Sequence, residues 1–154
     1  MTDASAPAPS DPQQLADAVG VAMWSRDNAT QALGMTLVSI GPGSATITMP
    51  VRTDMVNGHH ICHGGLIFTL ADSAFAYACN SYNQNTVASA CSIDFLAPAR
   101  VGDVLEAQAV ERSASGRTGV YDIAVRIVGG KQVALFRGKS YRISGEVIAG
   151  LAKA

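Results

Sequence analysis

Between Leu66 and Tyr77 the chain reads LIFTLADSAFAY, and wound as an α-helix this run leaves almost no direction free of apolar side chains. Leu66, Ile67, Phe68, Leu70, Ala71, Ala74, Phe75, Ala76 and Tyr77 fall at nearly every angular position. With no polar stripe to face water, such a helix has to be wrapped on several sides. Its polar interruptions are too many for a bilayer span. Asp72 is the one carboxylate within it. An isolated ionised carboxylate in apolar surroundings is costly unless compensated, so Asp72 has either a partner or a chemical task.

The wrapping has to come from strands. Asp11-Pro12 is a cap followed by proline at the first helical position, and Leu15, Val19, Ala22 and Met23 then recur at helical spacing. Asp27 and Asn28 cap a second short helical turn over Ala29 to Leu33, which Gly34 ends. Met35–Ile40 and Ser44–Met49 flank Gly41-Pro42-Gly43 as a hairpin, with Ala45, Ile47 and Met49 on its buried face. After the long helix come Val87–Leu96, Val104–Arg112, Thr118–Val128 and Val133–Arg142, with turns at 113–116 and at Gly129-Gly130. Short connections pair such strands antiparallel. One helix cannot cover both faces of a six-stranded sheet, so the economical packing curls the sheet around it, an α+β arrangement.

At 154 residues the chain fits a single domain, expected over 11–154, behind an Ala, Ser and Pro-rich tail over 1–10 expected to be disordered. The net charge of −1 argues against a general nucleic-acid binder, although nine of the eleven Lys and Arg residues follow residue 99. No signal peptide or membrane span is legible, and the three cysteines, Cys62, Cys79 and Cys91, form no disulfide framework. Both points lead to the expectation of a cytoplasmic protein.

The residues that lead into the long helix, Asn57 to Gly65, read NGHHICHGG. Gly64 and Gly65 open the helix, whose unpaired N–H groups and positive dipole end suit a developing oxyanion. Tight packing of a helix start would also call for glycine. Asn57 offers donors and an acceptor, yet Asn-Gly is also a common turn. His63 can meet a bound group or simply cap the loop. Cys62 beside a helix start suggests a thiolate, and His59, His60, Cys62 and His63 a metal. Their spacing matches no common zinc motif, Cys62 lacks an evident His-Asp set, and neither metal nor cofactor is expected.

Taken together, VNGHHICHGGLIFTLADSAFAYACNS, VASACSIDFLAPARVGD, GRTGVYDI and VALFRGKSYRI closely resemble the hotdog-fold acyl-CoA thioesterases of phenylacetate degradation, the PaaI type. The likeness runs from about Met23 to the C-terminus. It implies a six-stranded antiparallel sheet around a central helix, protomers that join their sheets as dimers, and dimers that pair again into tetramers. It also implies hydrolysis of acyl-CoA, with an aromatic acyl group, by Asp72 as the catalytic carboxylate. Asn57 would be its helper, and His63 with Gly64, next to Gly65, the thioester site. A non-catalytic acyl-CoA binding module and a hydratase or dehydratase of acyl thioesters are the alternatives.

Asp72 lies eight residues beyond Gly64, about 12 Å along an ideal helix. One bound carbonyl cannot meet both within one chain, so a twofold axis that runs two long helices antiparallel is expected to form a site shared between protomers. Arg137 and Lys139 share a face of the last strand, and with Arg112, Arg117 and Arg142 they are candidates for the coenzyme A phosphates or for a solvated charged face. Phe75, Tyr77, Tyr82 and Phe95 are candidate walls of an aromatic acyl pocket, or core.

Overall fold

The computed structural model describes residues 11–151, so the tail expected over 1–10 lies outside the described residues. The first helix, α1 (Pro12–Trp24), starts as the sequence anticipates, with the Asp11 carboxylate accepting the Gln13 N–H at 3.0 Å. In α2 (Asn28–Ala32) the Asp27 carboxylate caps Thr30, and Gly34, at φ +69°, ends the turn. The hairpin is β1 (Thr36–Gly41) and β2 (Ser44–Pro50), turned by Gly43, which also takes φ +69°. A single 3-10 turn, Thr53–Met55, leads toward the central helix α3 (Gly64–Asn80). Then follow β3 (Thr86–Phe95), β4 (Val104–Ser115), β5 (Thr118–Ile127) and β6 (Gln132–Arg142).

All pairings are antiparallel, in the spatial order β1-β2-β4-β5-β6-β3. The sheet wraps α3, which touches all six strands. This is the α+β hotdog arrangement that the sequence led us to expect. The core forms where the inward residues of β2, β4, β5 and β6 meet α3, with Ile47, Leu70, Phe75, Leu105, Ile123 and Val125 at most 1 % exposed. Burying each such side chain stabilises the fold by about 1.5–3 kcal/mol. Phe75 lies so close to β6 that a Cβ at Gly138 would come within 2.7–2.8 Å of three ring atoms. Only a residue without a side chain admits the helix this near to the strand.

One expectation is corrected. The central helix does keep a narrow strip partly open to solvent, formed by the exposed Gly65 and the half-buried Thr69, Asp72, Ser73 and Ala76. Counting apolar angles concealed it, because the strip is built from small and hydroxylated residues. Thr69 and Ser73 donate back to the carbonyls of Gly65 and Thr69, each at 2.8 Å, and so add little polarity of their own.

Strand β3 is an edge. Among the described residues its one partner is β6 and its far side is unpaired, and Val87, Ser89, Ala90, Ser92 and Phe95 are exposed. A further departure from the sequence reading lies beyond β6. Residues 143–151, where no motif is legible, are bound back onto the C-terminal end of α3 by Asn83, which is fully buried. Its Nδ2 donates to the carbonyls of Ile148 and Leu151, both at 3.1 Å, and its Oδ1 accepts the Ile148 N–H at 2.8 Å.

Candidate active site

The loop before α3 is closed by its own backbone. Asn57 donates its N–H to the Ile61 carbonyl at 2.9 Å, His60 donates to the Asn57 carbonyl at 3.0 Å, and His60 takes φ +58° to complete the turn. The Asn57 side chain belongs to the same turn, since its Oδ1 accepts the N–H groups of His59 (2.9 Å) and Ile61 (3.4 Å). That occupies the acceptor end. Asn57 is left with its amide N–H donors, so it can offer hydrogen bonds to a bound group but has no spare oxygen to take a proton.

His63 is the N-cap of α3. Its Nδ1 accepts the Gly65 N–H at 2.9 Å, and its carbonyl accepts from Leu66 at 2.9 Å and Ile67 at 3.3 Å. An imidazole whose Nδ1 accepts carries its proton, when neutral, on Nε2. The two glycines are therefore unequal. Gly65 spends its N–H on His63, whereas the Gly64 N–H has no acceptor among the described residues. An unpaired donor at the positive end of a helix of 17 residues is the strongest anion-stabilising feature of this region.

Asn57 and Gly64 line one cleft of about 390 Å³, together with Ile61, Cys62, Ile67 and the segment Phe95–Pro98. The Phe95 ring stands over Gly64, with its Cζ 3.0 Å from the place a Cβ would take. Of the four aromatic residues considered for the acyl pocket, Phe95 alone lines this cleft. Phe75 is core, against Tyr121 and Phe136 at ring-centroid distances of 5.4 and 6.2 Å. Tyr77 is buried, donates to Asp27 at 3.1 Å and packs against Trp24. Tyr82 lies at the far end of α3 beside Glu111 and Gly43. The apolar walls Ile61 and Leu96 were missed in the sequence. Their signal was an aliphatic residue within a polar turn and another next to Phe95 and before a proline.

Asp72 is not in this cleft. Its carboxylate is half-buried and has no hydrogen-bond partner among the described residues, since the hydroxyls of Thr69 and Ser73 both point to backbone carbonyls. Burial raises its pKa above the ordinary carboxylate value. Its charge is felt at two cysteines: burial first, and then Asp72, push Cys79 up to about 12 and Cys91 upward. Asp72 therefore lies on the half-buried strip of α3, near enough to Cys91 of β3 for its charge to act there.

Cys62 is buried, burial raises its pKa, and its weak sulfur contact is to the His63 carbonyl at 3.8 Å. Such a thiol stays protonated at neutral pH and is a poor nucleophile. Among the described residues, no three His, Cys, Asp or Glu side chains converge as a metal-binding group. The basic candidates divide. Arg112 and Arg137 are both held by Asp122, at 3.1 and 2.7 Å, on the outer sheet face. Lys139, Arg117 and Arg142 have no carboxylate partner among the described residues.

Comparison with known proteins adds three findings. Residues 59–134 match the family model of the thioesterase superfamily. Over 126 residues the chain is 52% identical to the acyl-coenzyme A thioesterase PaaI of Escherichia coli, covering 82% of this chain and 90% of that protein. Among solved structures, that of the E. coli PaaI protein from the phenylacetic acid degradation operon aligns with a TM-score of 0.87 and 49% identity, covering 88% of this chain and 99% of that one. A Streptococcus mutans protein bound to acetyl CoA aligns with a TM-score of 0.69 and 26% identity, covering 73% and 90%. Among the described residues no helix is long and apolar enough to cross a membrane.

Proposed function

The chain belongs to the PaaI-type acyl-coenzyme A thioesterases of the thioesterase superfamily, and from that premise we propose that it hydrolyses aromatic, phenylacetyl-type thioesters at sites shared by two protomers. The binding module and the hydratase are set aside by this membership.

One observation carries the shared site. The free Gly64 N–H and the Asn57 amide face one cleft, while the carboxylate without a partner, Asp72, stands eight residues along the helix on the side of an unpaired strand. A second copy adding its β3 antiparallel to this β3 pairs the open edges and runs the two α3 helices in opposite directions. Asp72 of each chain then approaches Gly64 of the other.

In the reaction we infer, the thioester oxygen accepts the Gly64 N–H, and the helix dipole stabilises the negative charge that grows on it. Asn57 donates an amide N–H to the bound group and fixes its orientation. The partner's Asp72 carboxylate, free of hydrogen bonds within its own chain, acts on the carbonyl carbon either directly or by taking a proton from water. Collapse of the tetrahedral intermediate breaks the C–S bond, coenzyme A leaves as the thiolate, and the carboxylic acid remains. His63 holds the loop in place as the cap of α3 and presents its Nε2 outward.

The aromatic preference draws support from the cleft itself. Phe95, Leu96, Ile61 and Ile67 form a short apolar slot, where a flat ring stacks offset or edge-on against Phe95. The first relative bears the name of the phenylacetate operon. The test is kcat/KM for phenylacetyl-, benzoyl- and palmitoyl-CoA, followed by release of free thiol. Phenylacetyl-CoA should exceed palmitoyl-CoA at least tenfold, and the opposite order overturns the assignment of the acyl group. Light scattering of the protein in solution should show dimers or dimers of dimers and no monomer.

A further inference from the structure

The turn that leads into α3 carries one aliphatic side chain, Ile61, among Asn57, Gly58, His59, His60, Cys62 and His63. Packing does not account for it. Ile61 is half-buried, yet it belongs neither to the core nor to the half-buried apolar side chains that pack on the core. What it lines is the Gly64 cleft. Its backbone is fixed in that place: the Ile61 N–H donates to the Asn57 Oδ1 at 3.4 Å, its carbonyl accepts the Asn57 N–H at 2.9 Å, and His60, at φ +58°, turns the chain just before it.

The two sides of the cleft run past each other. Gly64 lies against the Phe95 ring, and Cys62 donates its N–H to the Ala99 carbonyl at 2.8 Å, so residues 61–64 lie antiparallel to residues 95–99. Ile61 therefore stands at the end of the slot away from Gly64, toward Pro98. Three residues of extended chain span about 10 Å. An arylacetyl group whose carbonyl meets the Gly64 N–H thus points the far edge of its ring toward Ile61.

Among the described residues, that end of the slot holds little that a polar ring substituent could bond. The N–H groups of Ile61 and Cys62 are spent within the turn and on Ala99, those of Leu96 and Ala97 both donate to the Val133 carbonyl, at 2.8 and 3.3 Å, and proline at position 98 has none. The Cys62 thiol is turned to the His63 carbonyl at 3.8 Å. Asn57, the remaining polar wall, serves the thioester in the reaction inferred above. A hydroxyl brought to Ile61 gives up its bonds to water and meets no free N–H and no polar side chain, whereas a methyl group gives up nothing. We propose that Ile61 sets the ring specificity of the slot: aryl groups that are bare or carry an apolar substituent at the far edge are accepted, and those with a polar substituent there are rejected. This inference rests on the aromatic reading given under the proposed function.

The 4-methyl and 4-hydroxy derivatives of phenylacetyl-CoA differ in polarity and hardly in size. With the wild type, kcat/KM should favour the methyl compound by at least about tenfold. Ile61→Val and Ile61→Thr form a second pair of one shape, both β-branched, and so separate polarity from the room that either substitution opens. Ile61→Val should keep the methyl preference. Relative to it, Ile61→Thr should shift the methyl-to-hydroxyl ratio by at least about tenfold toward the hydroxyl compound. A residue that served the fold alone would move both substrates together. Equal ratios for the two variants, or no preference in the wild type, overturn the proposal. Calorimetry of the two compounds binding to Asp72→Asn reads the slot without turnover: tighter binding of the methyl compound supports the role of Ile61, and equal affinities overturn it. Faster hydrolysis of palmitoyl-CoA than of either aryl compound would refute the aromatic reading and this inference with it. A preference for aryl compounds that is indifferent to methyl and hydroxyl would refute the role of Ile61 alone.

Discussion

Mixing two inactive variants should restore activity, and the fraction restored follows from the geometry. Asp72→Asn is isosteric and leaves its chain's Gly64 cleft intact. Gly64→Val closes that cleft: its Cβ would stand 3.0 Å from the Phe95 Cζ and 3.3 Å from Cε1, so the ring must swing aside, and the branched side chain covers the free N–H. Within one chain Phe95 is 54% exposed and outside the core, so the ring can move without shifting the backbone of that chain, and the protomer's fold survives. In a mixed dimer one site joins an intact Gly64 from the first chain to an intact Asp72 from the second, and the other site carries both defects. Random exchange at equal amounts makes about half of the dimers mixed, each with one working site of two, so about a quarter of wild-type activity should return. The assay is thiol release from phenylacetyl-CoA after the protomers have exchanged, with the mixed species confirmed by native mass spectrometry. Activity that stays at the level of the separate variants, although mixed dimers are present, would refute the shared site and move Asp72 out of the mechanism.

Asp72→Asn alone should lower kcat by ~10²–10⁴-fold with KM within a few fold, because it removes the group proposed to act in the transition state. It should also raise the melting temperature at neutral pH. Burial raises the folded-state pKa of Asp72, so its contribution to stability is present in acid and lost as pH rises through that value. The gain should therefore shrink toward zero below about pH 4, which scanning fluorimetry across pH measures. Cys62→Ala should keep at least half of the activity, and iodoacetamide should inactivate the wild type slowly, since burial holds that thiol protonated. Rapid inactivation that the variant escapes would restore the thiolate. Asn83→Ala removes three hydrogen bonds made by a buried side chain, and an amide suited to φ +61°. It should cost ~2–4 kcal/mol in urea unfolding and expose the C-terminal residues to carboxypeptidase.

Where the sequence could be read, it was read through local chemistry. Asp11-Pro12, Asp27, Gly34 and Gly43 each act within a few residues of themselves, and the elements they bound begin and end close to where expected. Alternation marked Ala45, Ile47 and Met49 as inward, and all three are buried. Of the candidate site, the meeting of Asn57 and Gly64 in one cleft was legible in residue types, and the helical rise that separates Gly64 from Asp72 in spacing. Its hydrogen-bond assignments were not. That His63 would take the Gly65 N–H, or that the Asn57 oxygen would turn back onto its own loop, depends on side-chain rotamers that no spacing encodes. The aromatic residues show the same limit. Phe75 and Phe95 are alike in sequence, and only the crossover that puts β3 beside β6 decides that one is core and the other lines the cleft. Asn83 went unnoticed because its partners lie 65 and 68 residues away.

Strand β3 ends at Phe95, and its one neighbour, β6, begins at Gln132. A ribosome adds about 5–20 residues per second, so roughly two to eight seconds pass in which β3 has left the tunnel with no ladder to join. The edge on which the proposed dimer joins is thus the last part of the sheet to be backed by another strand. Pairing cannot begin on a growing chain, because the strand that would pair is not yet fixed. Subunits of the proposed dimer are then expected to find each other as finished molecules, drawn from a common pool rather than from one messenger. Two variants made from separate genes in one cell should then combine at the frequency of chance, with no bias toward chains born on the same transcript.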